Sequence, residues 1–467
     1  MKTAIIGFFA SALLVFALPG AIPAQVVASS VTIPSDSGPP RGAAAVDTNK
    51  IGVRPPAYIA RPAEIQHYRP VDQRGINVFE SPKEPGVEYT GFKLNFGAAF
   101  TQQYQALDHS NTAAARVVNG VNTNQLIDIG AGFNNEGANL YINAQVARGI
   151  RVAMTSYLSS RHHPETWVKD GYLLIDDSPF AIPLLENVMR YTTVKFGHFE
   201  INYGDAHFRR TDNGNSIYNP FVGNYIMDAF TTEIGAEVYL RGRGMLAMAS
   251  VTGGEIRGNV TSPDDRGPSF IGKLGFDRQL NRDLRVRLTG SAYRSRKSPA
   301  NTLYGGDRSG SRYYYVMENT QAKEAAQFTS GLINPGFRYK VNALVVNPFV
   351  KFRGFELFGL AERATGRAKT ETEDRTWKQY AADAVFRFLP GDKLFVGARY
   401  NRAQGEVAGF VDEVEVNRSA LSGGWFITPN ILMKTEFVRQ KYANFPSTDI
   451  RNGGKFDGFV VEGVVAF

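Results

Sequence analysis

The sequence predicts an all-β chain, a transmembrane antiparallel β-barrel of about 16 strands with short turns on one rim and long loops on the other. Three observations predict it. Period-two alternation of apolar and polar residues recurs from residue 87 to the C-terminus. The connections between these runs alternate between short and long. After the first 24 residues no stretch offers the ~18 consecutive apolar residues of a spanning helix. Strands are therefore the means by which such a chain crosses a membrane.

The 467 residues include no cysteine and carry a formal charge of +8, so a disulfide framework is excluded. Residues 1–24 hold Lys2, an apolar run from Ala4 to Leu18, and then Pro19, Gly20 and Pro23. This is the pattern of a signal peptide, cleaved after Ala24 or after Ala28. Residues 29–85 contain nine prolines and few large apolar side chains, which predicts an extended or disordered Pro-rich arm that lies outside the barrel and is dispensable for its folding. The barrel itself is expected over 87–467.

The expected strands are 87–105, 138–147, 150–160, 166–176, 191–203, 231–240, 245–252, 268–280, 284–296, 338–353, 355–369, 375–389, 393–407, 415–427, 431–442 and 454–467. In the first, Leu94, Phe96, Ala98 and Phe100 alternate with Lys93, Asn95, Gly97 and Ala99. In the ninth, Leu284, Val286 and Leu288 alternate with Arg285, Arg287 and Thr289. In the last, Phe459, Val461, Gly463, Val465 and Phe467 share one face, and Gly458, Glu462, Val464 and Ala466 the other. Pro348 predicts a bulge. Residues 180–190 have helical spacing and make the one turn that is not short. The long connections are 106–137, 204–228, 253–267, 297–337 and 443–453. A soluble sandwich or propeller fits less well, because the aromatic faces need a partner and no repeat of blade length is present.

Residues that could carry chemistry are few. His162, His163 and Glu165 lack an identifiable third metal ligand. Asp412, Glu413 and Glu415 lack EF-hand spacing. The run 305–310 has no Gly-Lys-Ser/Thr ending and no following helix, so it is no phosphate loop. No nucleophile context accompanies the six histidines, and a hydrolase is not expected. No cofactor or metal is expected either.

The face opposite the apolar one is the informative one. By parity it carries Lys93, Arg151, Lys195, Lys273, Arg285, Arg287, Lys351, Arg387, Arg399, Arg418 and Lys434, together with Glu233, Glu237, Asp277, Asp383 and Glu462. In a barrel too wide for side chains to fill, this face is wet and basic in excess. The charges either line a selectivity path or pair across strands to hold the wall. The connection 204–228 is apolar for an exposed loop, with Ile217, Tyr218, Pro220, Phe221, Val222, Tyr225, Ile226 and Met227. Folded inward, it would pack these on the wall and leave Asp205, His207, Arg209, Arg210 and Asp212 in water at a constriction. Covering a neighbouring barrel is the other use of such a face.

The last strand, with its uncharged outer row of Phe459, Val461, Val465 and a C-terminal Phe467, resembles the terminal strand of bacterial outer-membrane barrels. That strand closes the cylinder and is read by the barrel-assembly machinery. Residues 194–204, Val-Lys-Phe-Gly-His-Phe-Glu-Ile-Asn-Tyr-Gly, resemble the strand of the phosphate-selective (O/P-type) porin family that carries Gly-x-Phe and ends in an aromatic-Gly pair before the third loop. Gly197, Phe199, Tyr203 and Gly204 are the matching positions. The resemblance implies a 16-stranded homotrimer whose third loop narrows the pore. Two departures are plain: the arm has no heptad pattern, and no dense arginine run marks a phosphate ladder.

The expectation is an outer-membrane porin with a periplasmic N-terminal arm, conducting small hydrophilic solutes with a modest preference for anions. Its partners would be outer-membrane lipid, the assembly machinery and the solutes, with no nucleic acid. The alternative is a non-conducting structural or adhesive barrel that binds a partner through its loops.

Overall fold

In a computed structural model the described residues are 65–81, 83, 87–159, 166–258, 260–306, 310–323 and 329–467. The chain divides into Met1–Ala60, outside the described residues, and Arg61–Phe467, which holds the barrel. The predicted signal peptide, the first part of the predicted arm (29–64) and the His162, His163 and Glu165 cluster also lie outside the described residues.

Sixteen antiparallel strands close into a barrel. They are β1 (Lys93–Ser110), β2 (Gly132–Ala147), β3 (Ile150–Ser159), β4 (Trp167–Ile175), β5 (Thr192–Glu200), β6 (Thr232–Gly242), β7 (Met245–Thr252), β8 (Ser269–Gln279) and β9 (Leu284–Ser295). They continue as β10 (Lys340–Phe352), β11 (Phe355–Arg367), β12 (Arg375–Phe388), β13 (Leu394–Gly405), β14 (Val414–Thr428), β15 (Ile431–Ala443) and β16 (Lys455–Ala466). Each pairs with its neighbours in sequence, and β1 pairs with β16 in the register Ala99↔Ala466 to Ser110↔Lys455. Phe467 extends this seam, its N–H donating to Ala98 O at 2.9 Å. The predicted helical turn is a short helix, α1 (Pro183–Met189). Among the described residues no helix is long and apolar enough to cross a membrane.

The alternation that predicted the strands sorts the wall into two faces. Phe96, Phe386, Val396, Leu421, Trp425, Phe437, Phe459, Val465 and Phe467 are exposed on the outside, the apolar band of a membrane-spanning barrel. Tight turns join strands at one end, as at Arg243-Gly244, where both φ angles are positive (52° and 80°), the twist that a two-residue hairpin needs. Long loops leave from the other end.

Strand ends shift by up to six residues, the first strand running over Lys93–Ser110 in place of 87–105 and the second starting at Gly132 in place of 138, and two further details differ from expectation. Pro348 makes no bulge: Val346↔Ala361 and Phe349↔Phe358 keep one register across it. The missing N–H is absorbed locally instead, because Asn347 Nδ2 donates to Gly359 O at 3.1 Å and Gly359 has no side chain to meet the proline ring. Second, the end of the predicted arm is not outside the barrel. Residues 65–81 lie across its turn end, where Gln73 N–H donates to Pro429 O at 2.9 Å and Gln73 Nε2 to Gly391 O at 2.8 Å. The low apolar content that argued for an outlying arm is compatible with this position because the inner wall is polar and binds the segment by hydrogen bonds and ion pairs.

Candidate functional site: the barrel lumen

β5 ends at Glu200 and the chain turns into the lumen. The following loop, 201–231, crosses the barrel and is held by inward side chains of the wall that serve its backbone. Asn347 Oδ1 accepts from Asp205 N (2.8 Å), Glu436 Oε2 from Val222 N (2.9 Å) and Asn401 Oδ1 from Ile226 N (2.6 Å). Gln379 accepts from Met227 N and donates to Met227 O, at 2.8 and 2.9 Å. A loop with no ladder of its own thereby has its buried backbone groups satisfied.

Its apolar residues complete the packing. Ile217, Tyr218 and Phe221 join Val385, Phe395, Ala420, Phe426, Leu432 and Val464 in one buried cluster, and Val222, Tyr225, Ile226 and Met227 join a second. Tyr225 Oη also donates to Asp383 at 2.9 Å. From the loop end, residues of the 296–339 connection pack onto this loop: Phe230 N–H donates to Leu303 O and Ile333 N–H to Ile226 O, both at 2.8 Å. Tyr304 and Tyr313 reach the wall carboxylates Glu362 (2.7 Å) and Glu436 (2.6 Å).

The charged loop residues are not in open water. Asp205, Arg209, Arg210 and Asp212 are buried, and His207 is half-buried. Asp205 pairs with Lys273 (2.7 Å) and Arg287 (2.8 Å) and accepts from Thr289 (2.8 Å). Burial alone would raise its carboxyl, but Lys273 and Arg287 hold it below the usual carboxylate range. Arg209 meets Asn77 and Glu356, Arg210 holds Asp228 at 2.6 Å, and Asp212 takes Lys169. His207 bridges Glu200 and Asn202, each at 3.0 Å. Burial depresses its ring pKa against the pull of Glu200. The hydrophobic pattern of this loop could not reveal these nine partner residues, which lie between Asn77 and Glu356 in the sequence.

The wall cations predicted by parity are on the inner face, and most are paired. Arg285 holds Asp277 (2.6 Å), Arg387 Glu356 (2.9 Å), Arg399 Asp383 (2.7 Å) and Lys434 Glu462 (2.9 Å). Lys195 and Lys351 lie 3.6 Å from Glu237 and Glu356. Arg418 serves Gln440 and the carbonyls of Asn224 and Gly331, while Arg151 donates to Asn143 at 3.0 Å. Lys93 is half-buried near the turn end. The wall residues missed by sequence reasoning are the neutral Asn347, Gln379 and Asn401 and the charged Lys169, Glu356, Glu362 and Glu436. Their inward parity is legible in the strands, but parity does not say which inward groups will serve a loop.

Space remains in the lumen between β2–β6, the 201–231 loop and residues 65–81. A cavity of about 250 Å³ there is lined by Arg69, Arg151, Lys169, Lys195 and Arg241 and by Glu80, Asp170, Asp176, Glu200 and Asp212, so cations and carboxylates balance. At the turn end a cleft of about 740 Å³ has a different sign. Lys83, Arg190, Arg241, Arg243, Arg285 and Arg287 line it against Glu80 and Asp277, an excess of positive charge. Asp412, Glu413 and Glu415 sit near the β13–β14 connection, and among the described residues no three His, Cys, Asp or Glu gather as a metal site.

No family model matches the chain, and no curated protein matches it either. Solved structures with the same architecture include an anion-selective porin from Comamonas acidovorans, 10% identical, covering 80% of this chain and 100% of that one with a TM-score of 0.49. The outer-membrane channel DcaP of Acinetobacter baumannii is 11% identical over 82% of this chain and 99% of its own (TM-score 0.46). In-vitro folded OmpT, an outer-membrane protein of Vibrio cholerae, is 10% identical over 82% and 99% (TM-score 0.46). The shared feature is a closed antiparallel β-barrel.

Proposed function

We propose that this chain is an outer-membrane porin, a passive channel for small hydrophilic solutes, not an enzyme, with its turn end and N-terminal segment facing the periplasm. The carrying observation is the cavity beside β2–β6. Residues 65–81 and the 201–231 loop roof this space, yet its lining carries charged groups from wall and roof alike, among them Arg69, Lys169, Lys195, Glu80 and Asp212, the surroundings that a hydrophilic solute needs. The anion preference in this reading is modest. It arises at the basic turn-end cleft, which concentrates anions at one mouth, because the cavity itself carries five cations against five carboxylates. Assembly as a homotrimer, folding by the barrel-assembly machinery and contact of the apolar band with outer-membrane lipid belong to the same proposal.

One observation favours the second reading, a non-conducting barrel: residues 65–81, the 201–231 loop and the 296–339 connection together occupy much of the lumen. Planar-bilayer recording separates the two. Stable ohmic steps from folded protein support the channel, and silence from folded protein supports the structural barrel.

A further inference from the structure

Residues 65–81 run around the turn-end mouth without joining the wall's ladder. Gln66 Oε1 accepts from Gln145 Nε2 at 2.6 Å. Arg69 donates to Phe208 O at 2.9 Å and lies 3.7 Å over the Tyr218 ring, which ties the segment to the 201–231 loop. Asn77 donates to Glu356 at 2.6 Å. Phe79 is buried edge-on to Phe208 and Phe349. Glu80 then reaches Lys273 at 3.0 Å and Arg287 at 2.8 Å.

Three features of this attachment separate the segment from the barrel. Every barrel strand is paired on both sides with another strand, so closure of the wall does not run through residues 65–81. The contacts are ion pairs, hydrogen bonds and a few rings, with Ile65 and Phe79 the large apolar side chains it buries. Finally, Lys273 and Arg287 each hold a second carboxylate, Asp205, at 2.7 and 2.8 Å. Departure of Glu80 therefore strands neither cation, and the penalty that normally follows loss of one partner from a buried pair is avoided.

We propose that residues 65–81 are an autoinhibitory strap that restricts the pore at its turn end and swings away as a unit, with Glu80, seated on Lys273 and Arg287, as its latch. The proposal rests on the channel reading. Strap release has two consequences: the mouth widens, and the carboxylate of Glu80 leaves a cleft whose other groups are mainly cationic, so the open state is more anion-attracting than the restricted one.

The test uses the full chain in planar bilayers. Glu80→Gln keeps the side chain's shape and removes the charge that seats it. It should raise occupancy of a larger-conductance state by about tenfold, equivalent to ~1.4 kcal/mol, and shift the reversal potential toward anions. The chain has no native cysteine, so Gln73→Cys with Asn430→Cys can be bridged by a short bismaleimide where Gln73 meets the β14–β15 turn. The bridge should abolish the larger state, in the Glu80→Gln background too. If wild type conducts and both the Glu80→Gln change and the bridge leave its conductance and selectivity unaltered, the strap proposal falls and the channel reading stands. If folded protein is silent in every form, bridged or not, both fall.

Discussion

Lys434 gives the sharpest test of how the 201–231 loop is held. Its ammonium and the Glu462 carboxylate that it meets at 2.9 Å are both fully buried. The same ammonium donates to Ser216 O (3.0 Å), Ser216 Oγ (2.7 Å), Asn219 O (2.9 Å) and Phe221 O (2.8 Å). Lys434→Met is close in volume but leaves Glu462 as a buried charge without its cation and removes the donor from three loop carbonyls. Removing one partner of a buried pair costs ~3–5 kcal/mol. Backbone pairing of β15 with β14 and β16 at this residue does not involve the side chain, so the loss falls first on docking of the loop. Lys434→Met with Glu462→Gln removes the stranded charge and should recover part of the loss, leaving the unserved carbonyls at ~1–3 kcal/mol each before the loop relaxes. Urea unfolding in lipid, followed by tryptophan fluorescence, measures the stabilities, and proteolysis within 201–231 reports release of the loop. A single variant within ~1 kcal/mol of wild type, or a double variant less stable than the single, would refute this account of the anchor.

Asp205→Asn should destabilise the barrel at neutral pH. The Asp205 carboxyl is held low by Lys273 and Arg287 against its burial, so its contribution is fully present above the ordinary carboxylate pKa of ~3.9 and is lost as pH falls through the lower folded value. Wild type and variant should accordingly converge in acid unfolding curves, and a gap that persists at the lowest pH would contradict the ion-pair assignment. Arg190→Ala with Arg243→Ala removes two exposed cations of the turn-end cleft; reversal potentials should move toward neutrality, more so at low salt than at high salt. Gly359→Ala would put a Cβ 2.8 Å from Pro348 Cγ, and thermal unfolding should report a loss of ~1–3 kcal/mol from overpacking, whereas no change would mean that the proline ring moves aside freely.

The barrel was legible because its two faces obey one rule over sixteen strands. Leu284 to Thr289 alternates in sequence as it does in space, and the seam residue Phe467 ends the outer row that it was expected to end. The inward course of 201–231 was also legible, from apolar residues such as Phe221 and Ile226 that an exposed loop does not carry. The electrostatic environment of its charges was not. Arg209 and Arg210 look like pore-water residues in sequence, yet Arg210 finds Asp228 within its own loop and Arg209 finds Glu356 on a strand far along the chain. Parity assigns a face but no partner. Residues 65–81 misled for a related reason: too few apolar side chains to build a core does not mean that a segment lies outside one, when the surface receiving it presents Lys273, Arg287 and Glu356. Pro348 was read by a rule of strand composition, and Asn347 and Gly359 supplied the local exception.

In the proposed channel, solutes pass the cavity beside β2–β6, where Lys195 is half-buried on the wall. With no native thiol to compete, Lys195→Cys can be modified during single-channel recording by aminoethyl or by sulfonatoethyl methanethiosulfonate. A stepwise change of current is expected as each channel reacts, with the positive adduct moving selectivity back toward the wild-type value and the negative adduct moving it further toward cations. A complete reaction, verified by mass, that leaves current and selectivity untouched would place the conducting path elsewhere and contradict the account.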